Sequence, residues 1–360
     1  MLQFAVGLRA EELRGEPIGE DFDPDRGPRP VYDSVREKRA GSFLRIARGI
    51  ATPIALEHEK FILQSATKKR TKGDDRRAIK LLLDWCERKG ISPFLEAITK
   101  KVAVQFLDDL PGLIPGKTAV TGNKYVSRLR AYWSWLENRH VVDTNVWRGR
   151  RLVVAPRRHE EKPREFTDKE VKTLLEGPAS DAMHDLMMIA ALSGARLDAI
   201  VDLKVKDCAN GRFIFKPQKK EPGPREVPIH SALKEIITRR TKGKAEGDDL
   251  FPEYPVPKAN SQRERSFRAA NQFVKYRRKV GVDDVISGSR RSRVTFHSFR
   301  RWFITKAEQA DQSGDIIALV VGHKRSGMTL GTYSGGALFE QKRKCVEAVR
   351  LPAFRRMRRR

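Results

Sequence analysis

Three polar motifs follow one another in the last third of the chain: His297-x-x-Arg300, then Gly322-His323, then Tyr333. Arginine and histidine side chains can hold a phosphate through charged hydrogen bonds, and a tyrosine hydroxyl can attack the phosphorus and stay bound to it. Because tyrosine has an ordinary pKa of about 10, it needs cationic neighbours or a base to react near neutral pH, and the motifs supply both. Their order predicts a site that attacks a phosphodiester.

Two further groups could complete such a site. Arg196 follows an apolar helix, and a buried helix seldom ends in a bare arginine unless the guanidinium meets an anion or an acid. Lys219 and Lys220 lie in a turn between two short strand-like segments, from which a lysine can protonate a leaving oxygen. Taken singly, each group also fits an ordinary role, such as a salt-bridged arginine, solvated lysines, a capping histidine or a packed tyrosine. The prediction rests on the ordered set.

The part of the chain that carries these residues is predicted to be mainly α-helical with one small β-hairpin. It begins with a capping box, Thr167-x-x-Glu170. His297 and Arg300 stand three apart at a predicted helix start, so they share a face where the helix N-terminus favours an anion. The apolar helix, the two strands of the hairpin and the later helices are predicted at 182–196, 212–216, 225–229, 231–240, 259–280, 298–311, 315–321 and 336–350.

Residues 55–150 are predicted to form a separate helical domain. One helix carries an apolar stripe and stops at Gly90. A shorter helix runs from Thr99 to Leu110 and is ended by Pro111, and a third is capped by Thr121. Basic side chains lie away from the apolar stripes, and they would suit binding to duplex DNA or form ordinary solvated helix faces: Arg76, Arg77, Lys80, Lys124 and Arg128.

The overall charge indicates a polyanionic partner. The chain of 360 residues has a formal net charge of +27, and within residues 1–30 four arginines against seven acidic residues give −3, which leaves +30 for the remainder. Residues 1–54 are predicted to be a partly disordered extension with a loop at 16–30, residues 151–164 a basic linker, and residues 351–360 a basic tail.

Other function classes are disfavoured by composition. No segment approaches the ~20 apolar residues of a membrane-spanning helix, and the first residues lack the basic start of a secretory signal. Three widely spaced cysteines form neither a disulfide framework nor a metal site and fit a reducing cytosol. We therefore expect a cytoplasmic protein.

The ordered set of arginine, hairpin lysine, His-x-x-Arg, Gly-His and tyrosine resembles the tyrosine recombinases, the phage-integrase family of site-specific DNA recombinases. The resemblance covers residues 165–350 by motif and residues 55–150 more loosely, as the family's helical core-binding domain. It implies six catalytic residues: Arg196, Lys220, His297, Arg300, His323 and Tyr333 as the nucleophile. Lys220 is matched because it stands eight residues before Pro228, with Lys219 as the alternative.

Two positions depart from the family pattern. The family usually has an acidic residue three positions after the first arginine, where this chain has Ala199, with Asp198 one position earlier. The interval from His323 to Tyr333 is one residue longer than is common. These departures concern the orientation of Arg196 and the local loop shape.

The resemblance implies a core-binding domain and a catalytic domain that form a clamp on DNA. It further implies cutting and rejoining of DNA through a 3′-phosphotyrosyl link for a mobile element, with no nucleotide cofactor or metal. The implied partners are double-stranded DNA, further copies of the chain in a tetramer on two DNA sites, and an accessory directionality factor; the implied location is the bacterial nucleoid.

Two alternative functions stay open at this point. The same catalytic set would serve a type IB topoisomerase that relaxes DNA, and a DNA-binding regulator with an inactive site is the second alternative. The C-terminal segment 337–351 is a candidate for exchange between neighbouring copies. Its apolar residues could be buried in a partner, so that deletion after residue 336 spares monomer folding, or be packed within the same chain: Leu338, Cys345, Val346 and Val349.

Overall fold

The computed structural model describes residues 2–156, 158–217, 221, 223–261, 263–289, 291–324 and 335–355. The chain divides into two compact units, Met1–Ala155 and Pro156–Arg360. Both are mainly helical, and each contains one two-stranded antiparallel sheet. Within the described residues, no helix is both long and apolar enough to cross a membrane.

The first unit is built on the helices predicted for residues 55–150. The apolar stripe of the longest helix is buried, and Gly90 ends that helix in the left-handed conformation with φ 67°. Its core is aromatic, with Trp85 and Trp147 packed edge-on against Phe106. The elements of this unit are α1 Leu2–Arg14, β1 Gly19–Asp23, β2 Gly27–Val31, α2 Ser34–Ala47, α3 His58–Gln64, α4 Lys69–Lys89, α5 Lys100–Leu113 and α6 Ala119–Glu137.

Two predicted helix boundaries in this unit are wrong. Helix α5 continues past Pro111 to Leu113, because a proline in the last turn interrupts only the final hydrogen bonds of a helix. Helix α6 begins at Ala119 with Thr118 in the capping position, so Thr121 lies inside its first turn. A threonine at either position fits the sequence pattern, and tertiary packing decides between them.

The prediction of a loop at residues 16–30 is also wrong, since this segment contains the hairpin of β1 and β2. Asp21 lies directly opposite Arg29, whose Nη2 is 2.6 Å from the Asp21 carboxylate. Gly27 takes the left-handed conformation with φ 78° that closes the turn. A segment rich in glycine, proline and aspartate suggests disorder from composition, but here these residues form the strands and turn of a hairpin. Helices α1 and α2 flank this hairpin within the N-terminal segment that was expected to be partly disordered.

The second unit surrounds one mainly apolar helix. Helix α8 is buried along nearly its whole length, as its predominantly apolar sequence requires, and its buried Asp185 pairs with Arg240. The capping box of Thr167 and Glu170 is present at the start of α7, as predicted. The elements are α7 Asp168–Glu176, α8 Asp181–Ser193, α9 Leu197–Val201, β3 Arg212–Phe215, β4 Arg225–Pro228, α10 Lys234–Thr241, α11 Phe267–Lys279, α12 His297–Gln309, α13 Gly314–Val321 and α14 Phe339–Ala348.

The predicted hairpin is present, with Arg212 paired to Pro228 and Phe215 paired to Arg225. The helix predicted over 259–280 is shorter at its start and begins at Phe267. Helix α12 begins at His297, so His297 and Arg300 lie in its first turn, as predicted. Helices α8, α12 and α13, together with β4 and α14, form the framework of the candidate site.

The C-terminal helix packs on its own chain. Cys345, Val346 and Val349 are fully buried in the core of the second unit, whereas Leu338 is 73% exposed. Two further contacts fix the segment, since the Ser231 amide and hydroxyl both donate to the Glu347 carboxylate at 2.7 Å. This packing argues against the expectation that deletion after residue 336 spares monomer folding, because that deletion would uncover the core.

Substitution of Val346 by alanine is expected to destabilise the free protein by about 2 kcal/mol, since it removes buried methyl groups and leaves a cavity. Urea unfolding of the dilute protein without DNA measures the effect. Leu338→Ala is the matched control and should change stability by less than about 0.5 kcal/mol. Equal stability of Val346→Ala and wild type would show that α14 does not support its own domain in solution.

Candidate active site

The site is organised around Arg300, on the first turn of α12. Its side chain is 1% exposed, and Nη1 donates a hydrogen bond to the Gly194 carbonyl at 2.8 Å. Gly194 has φ 62°, and a Cβ at this position would meet the side chains of Phe303 and Val321 at 2.7 and 2.8 Å. The loop after α8 can therefore lie close enough to α12 and α13 to fix the guanidinium only because residue 194 is glycine.

Arg196 reaches the same region from the loop between α8 and α9. It occupies the capping position of α9, and its Nη1 donates to Glu221 Oε1 at 2.7 Å. The second oxygen of that carboxylate accepts from Arg225 Nη1 at 2.9 Å. One carboxylate thus bridges two guanidinium groups.

The two histidines of the motifs face these cations. Removal from water and the charges of Arg300, Arg301 and Arg196 lower the pKa of His297 to about 4, although the residue as a whole is exposed. Partial burial, followed by Arg300 and Arg196, also lowers the pKa of His323. Both rings are therefore neutral near pH 7, so each can either donate or accept a proton.

Arg225 was not among the residues predicted from sequence. It is 8% exposed on β4, beneath Gly322, where an added Cβ would collide with its guanidinium and with the Glu221 carboxylate. The glycine of the Gly-His motif is thus required by close approach as well as by its φ of 73°. The available signal was an arginine at the inward position of a predicted strand, where apolar residues are usual.

The three guanidinium groups together make a strongly cationic, partly buried cluster. Burial, then Arg196 and Arg225, lower the pKa of Arg300 to about 9, so it keeps its charge at neutral pH. Among the described residues, no hydrogen-bond partner accepts from Nε or Nη2 of Arg300, or from Nε or Nη2 of Arg225. Buried donors of this kind suit an anion with several oxygens, such as a phosphate.

The acidic partner of Arg196 comes from the hairpin and not from α9. Ala199 is buried, and Asp198 accepts a hydrogen bond from the Ser266 hydroxyl. In this chain Glu221 holds Arg196, which accounts for how the guanidinium is oriented without an acid at position 199.

The structure thus brings together Arg196, His297, Arg300 and His323, four of the six predicted catalytic residues. Lys220, its alternative Lys219, and Tyr333 lie outside the described residues.

Four of the five basic residues predicted to bind DNA in the first unit are paired with acids on the same unit. Arg76 lies 2.8 Å from Glu59, Lys80 lies 3.0 Å from Asp84, Lys124 lies 2.7 Å from Asp74 and Arg128 lies 3.8 Å from Asp75. For Arg77 no ion pair is found among the described residues. Most of these pairs are exposed and contribute little to stability, so DNA binding by these side chains stays a prediction.

Comparison with known proteins agrees with this geometry. Residues 164–336 match the phage integrase family, and no curated protein matches the chain. Lambda integrase, as a tetramer bound to a Holliday junction, aligns with a TM-score of 0.57 at 17% identity over 88% of this chain and 94% of that one. The Tn1549 transposon integrase in complex with circular intermediate DNA aligns with a TM-score of 0.56 at 16% identity over 81% and 97%.

At these identities the solved structures establish the shared fold, and the sequence match supplies the relationship. The match includes the loop after α8, the hairpin and helices α12 and α13 that hold the cationic cluster. The domain formed by residues 164–336 therefore belongs to the phage integrase family.

Proposed function

We propose that the protein is a site-specific DNA recombinase that cuts and rejoins DNA through a 3′-phosphotyrosyl link to Tyr333. The observation that carries the proposal is the convergence of Arg196 and buried Arg300 with two histidines, His297 and His323. Two guanidinium groups can stabilise the charge that develops on the non-bridging oxygens during attack on phosphorus.

The proposed reaction gives every one of the predicted catalytic residues a role. The Tyr333 oxygen forms a bond to phosphorus, and the bond from phosphorus to the 5′-oxygen breaks. Lys220 gives a proton to that leaving oxygen, while His297 and His323 position the phosphate and exchange the tyrosine proton. The covalent link conserves the energy of the broken bond, so a 5′-hydroxyl from a second DNA strand reverses the step without a nucleotide cofactor.

The proposed substrate is double-stranded DNA. A net charge of +27 supports a polyanionic partner close to the protein surface. We infer a tetramer acting on two DNA sites, since the related lambda integrase forms a tetramer on a Holliday junction. The names of the related proteins favour a role in moving a phage or transposon. A location at the bacterial chromosome and an accessory directionality factor as a further partner stay part of the proposal, and no comparison bears on them.

Covalent trapping tests the proposal. The DNA comes from the two ends of the element that encodes the protein, and a nick beside the cleavage position lets the short fragment diffuse away. We expect a protein–DNA adduct that survives denaturation and joins to an added second strand. Absence of an adduct on every such site would contradict the proposal, and relaxation of plasmid DNA without joining of a second duplex would favour a topoisomerase.

A further inference from the structure

An acid occupies the centre of the cationic cluster. The Glu221 carboxylate accepts hydrogen bonds from Arg196 Nη1 at 2.7 Å and from Arg225 Nη1 at 2.9 Å. Guanidinium groups bind carboxylate and phosphate oxygens in the same forked geometry. The space between Arg196 and Arg225 therefore fits an oxyanion, and in the free protein the Glu221 carboxylate occupies it.

The donors around this place exceed what one carboxylate can satisfy. Arg225 is buried over the ring of Phe215, 5.2 Å from its centroid, and Nε and Nη2 have no acceptor among the described residues. The same two nitrogens of Arg300 also lack one there. Unsatisfied buried donors are costly, and a phosphodiester offers two non-bridging oxygens that share one negative charge, together with two bridging oxygens.

We propose that Arg225 is a third phosphate-binding guanidinium of this site and that Glu221 is an internal anion which a DNA phosphate displaces. The inference rests on the proposed function for the identity of the anion as a DNA phosphate. The carboxylate is held by Arg196, one of the predicted catalytic residues, and by Arg225, and it lies so close to Gly322 that a Cβ added there would collide with it.

Competition between the Glu221 carboxylate and phosphate predicts the direction in which phosphate affinity changes when the carboxylate is removed. While Glu221 holds the guanidinium groups, the apparent affinity for phosphate equals the intrinsic affinity multiplied by the fraction of molecules in which the site is open. Removal of the carboxylate should therefore strengthen anion binding. If the ion pairs serve only to hold the hairpin, the same removal should weaken the site or leave its affinity unchanged.

Titration of the whole chain with inorganic phosphate, without DNA and at constant ionic strength, tests this directly. We expect Glu221→Gln to bind phosphate about tenfold more tightly than wild type, because the competing charge is gone and the side-chain size is kept. Arg225→Met should bind about tenfold more weakly, and Arg225→Lys, which keeps the charge and loses the fork, should fall between it and wild type. The lysine variant decides the point if the methionine variant does not fold.

The same hairpin offers a matched control. Arg212 pairs with Glu226 at 3.2 Å on the exposed side, and neither contacts the cluster in the described residues. Arg212→Met and Glu226→Gln should bind phosphate as wild type does. The proposal is overturned if Glu221→Gln gains no affinity, or if both Arg225 variants bind phosphate as well as wild type.

Adduct formation on nicked DNA separates this inference from the proposed function. Changed phosphate affinities without any adduct on DNA would leave an anion site and remove the recombinase function. Adducts at the wild-type rate in Arg225→Lys, with unchanged phosphate affinities, would keep the recombinase and remove the role of Arg225.

Discussion

Replacement of Tyr333 by phenylalanine is expected to abolish the covalent protein–DNA adduct while DNA binding persists. The change removes one oxygen, and phenylalanine has no atom that can displace a leaving oxygen from phosphorus. The cationic groups that hold the phosphate, Arg196 and Arg300, are unchanged, so the non-covalent complex should form as before. Denaturing gels of end-labelled nicked DNA measure the adduct, and native gels measure binding.

A second tyrosine in the same unit provides the control. The Tyr276 hydroxyl donates a hydrogen bond to the Leu174 carbonyl at 2.7 Å, and Tyr276→Phe makes the identical chemical change away from the cluster. That variant should form the adduct, with a small loss of stability of about 1 kcal/mol. An adduct of normal yield in Tyr333→Phe would place the nucleophile on another residue.

The site was predictable as far as it lies in short motifs. His297 and Arg300 are three residues apart on one helix, so their shared face follows from helix geometry alone. The left-handed glycines beside Arg196 and His323 end helices α8 and α13, as glycine commonly does. Local sequence thus predicted which side chains belong to the site and which helix faces and helix ends carry them.

Contacts between distant elements were not predictable in this way. Arg225 and Glu221 are four residues apart around a hairpin tip, and nothing local shows that their ion pair meets Arg196, which stands 25 residues before Glu221. Likewise, α14 has the apolar residues of an exchangeable helix, and only the packing of Val346 and Val349 into their own domain distinguishes the two arrangements. Tertiary packing makes these decisions.

A substitution at Arg300 should separate catalysis from stability. Arg300→Met is expected to lower the adduct rate by about 10³-fold, because one lost donor to a developing oxyanion costs about 10²–10³ and here a full charge is lost as well. Its effect on folding should be small. The buried guanidinium lies near Arg196 and Arg225, and two of its nitrogens lack an acceptor among the described residues, so methionine relieves repulsion while it gives up the bond to Gly194.

Melting temperature and single-turnover cleavage, measured on the same variants, test this separation. Arg300→Met should melt within about 2–4 °C of wild type, equivalent to about 1 kcal/mol or less. Arg277 is the matched control, since it is equally buried in the same unit but pairs with Asp283 and donates to the Val282 carbonyl at 3.1 Å. Arg277→Met should lose about 2 kcal/mol or more and keep cleavage below its melting temperature. A large loss of stability in Arg300→Met would instead make Arg300 a structural residue, since a buried cation kept for phosphate chemistry gains acceptors for Nε and Nη2 only when the phosphate is bound.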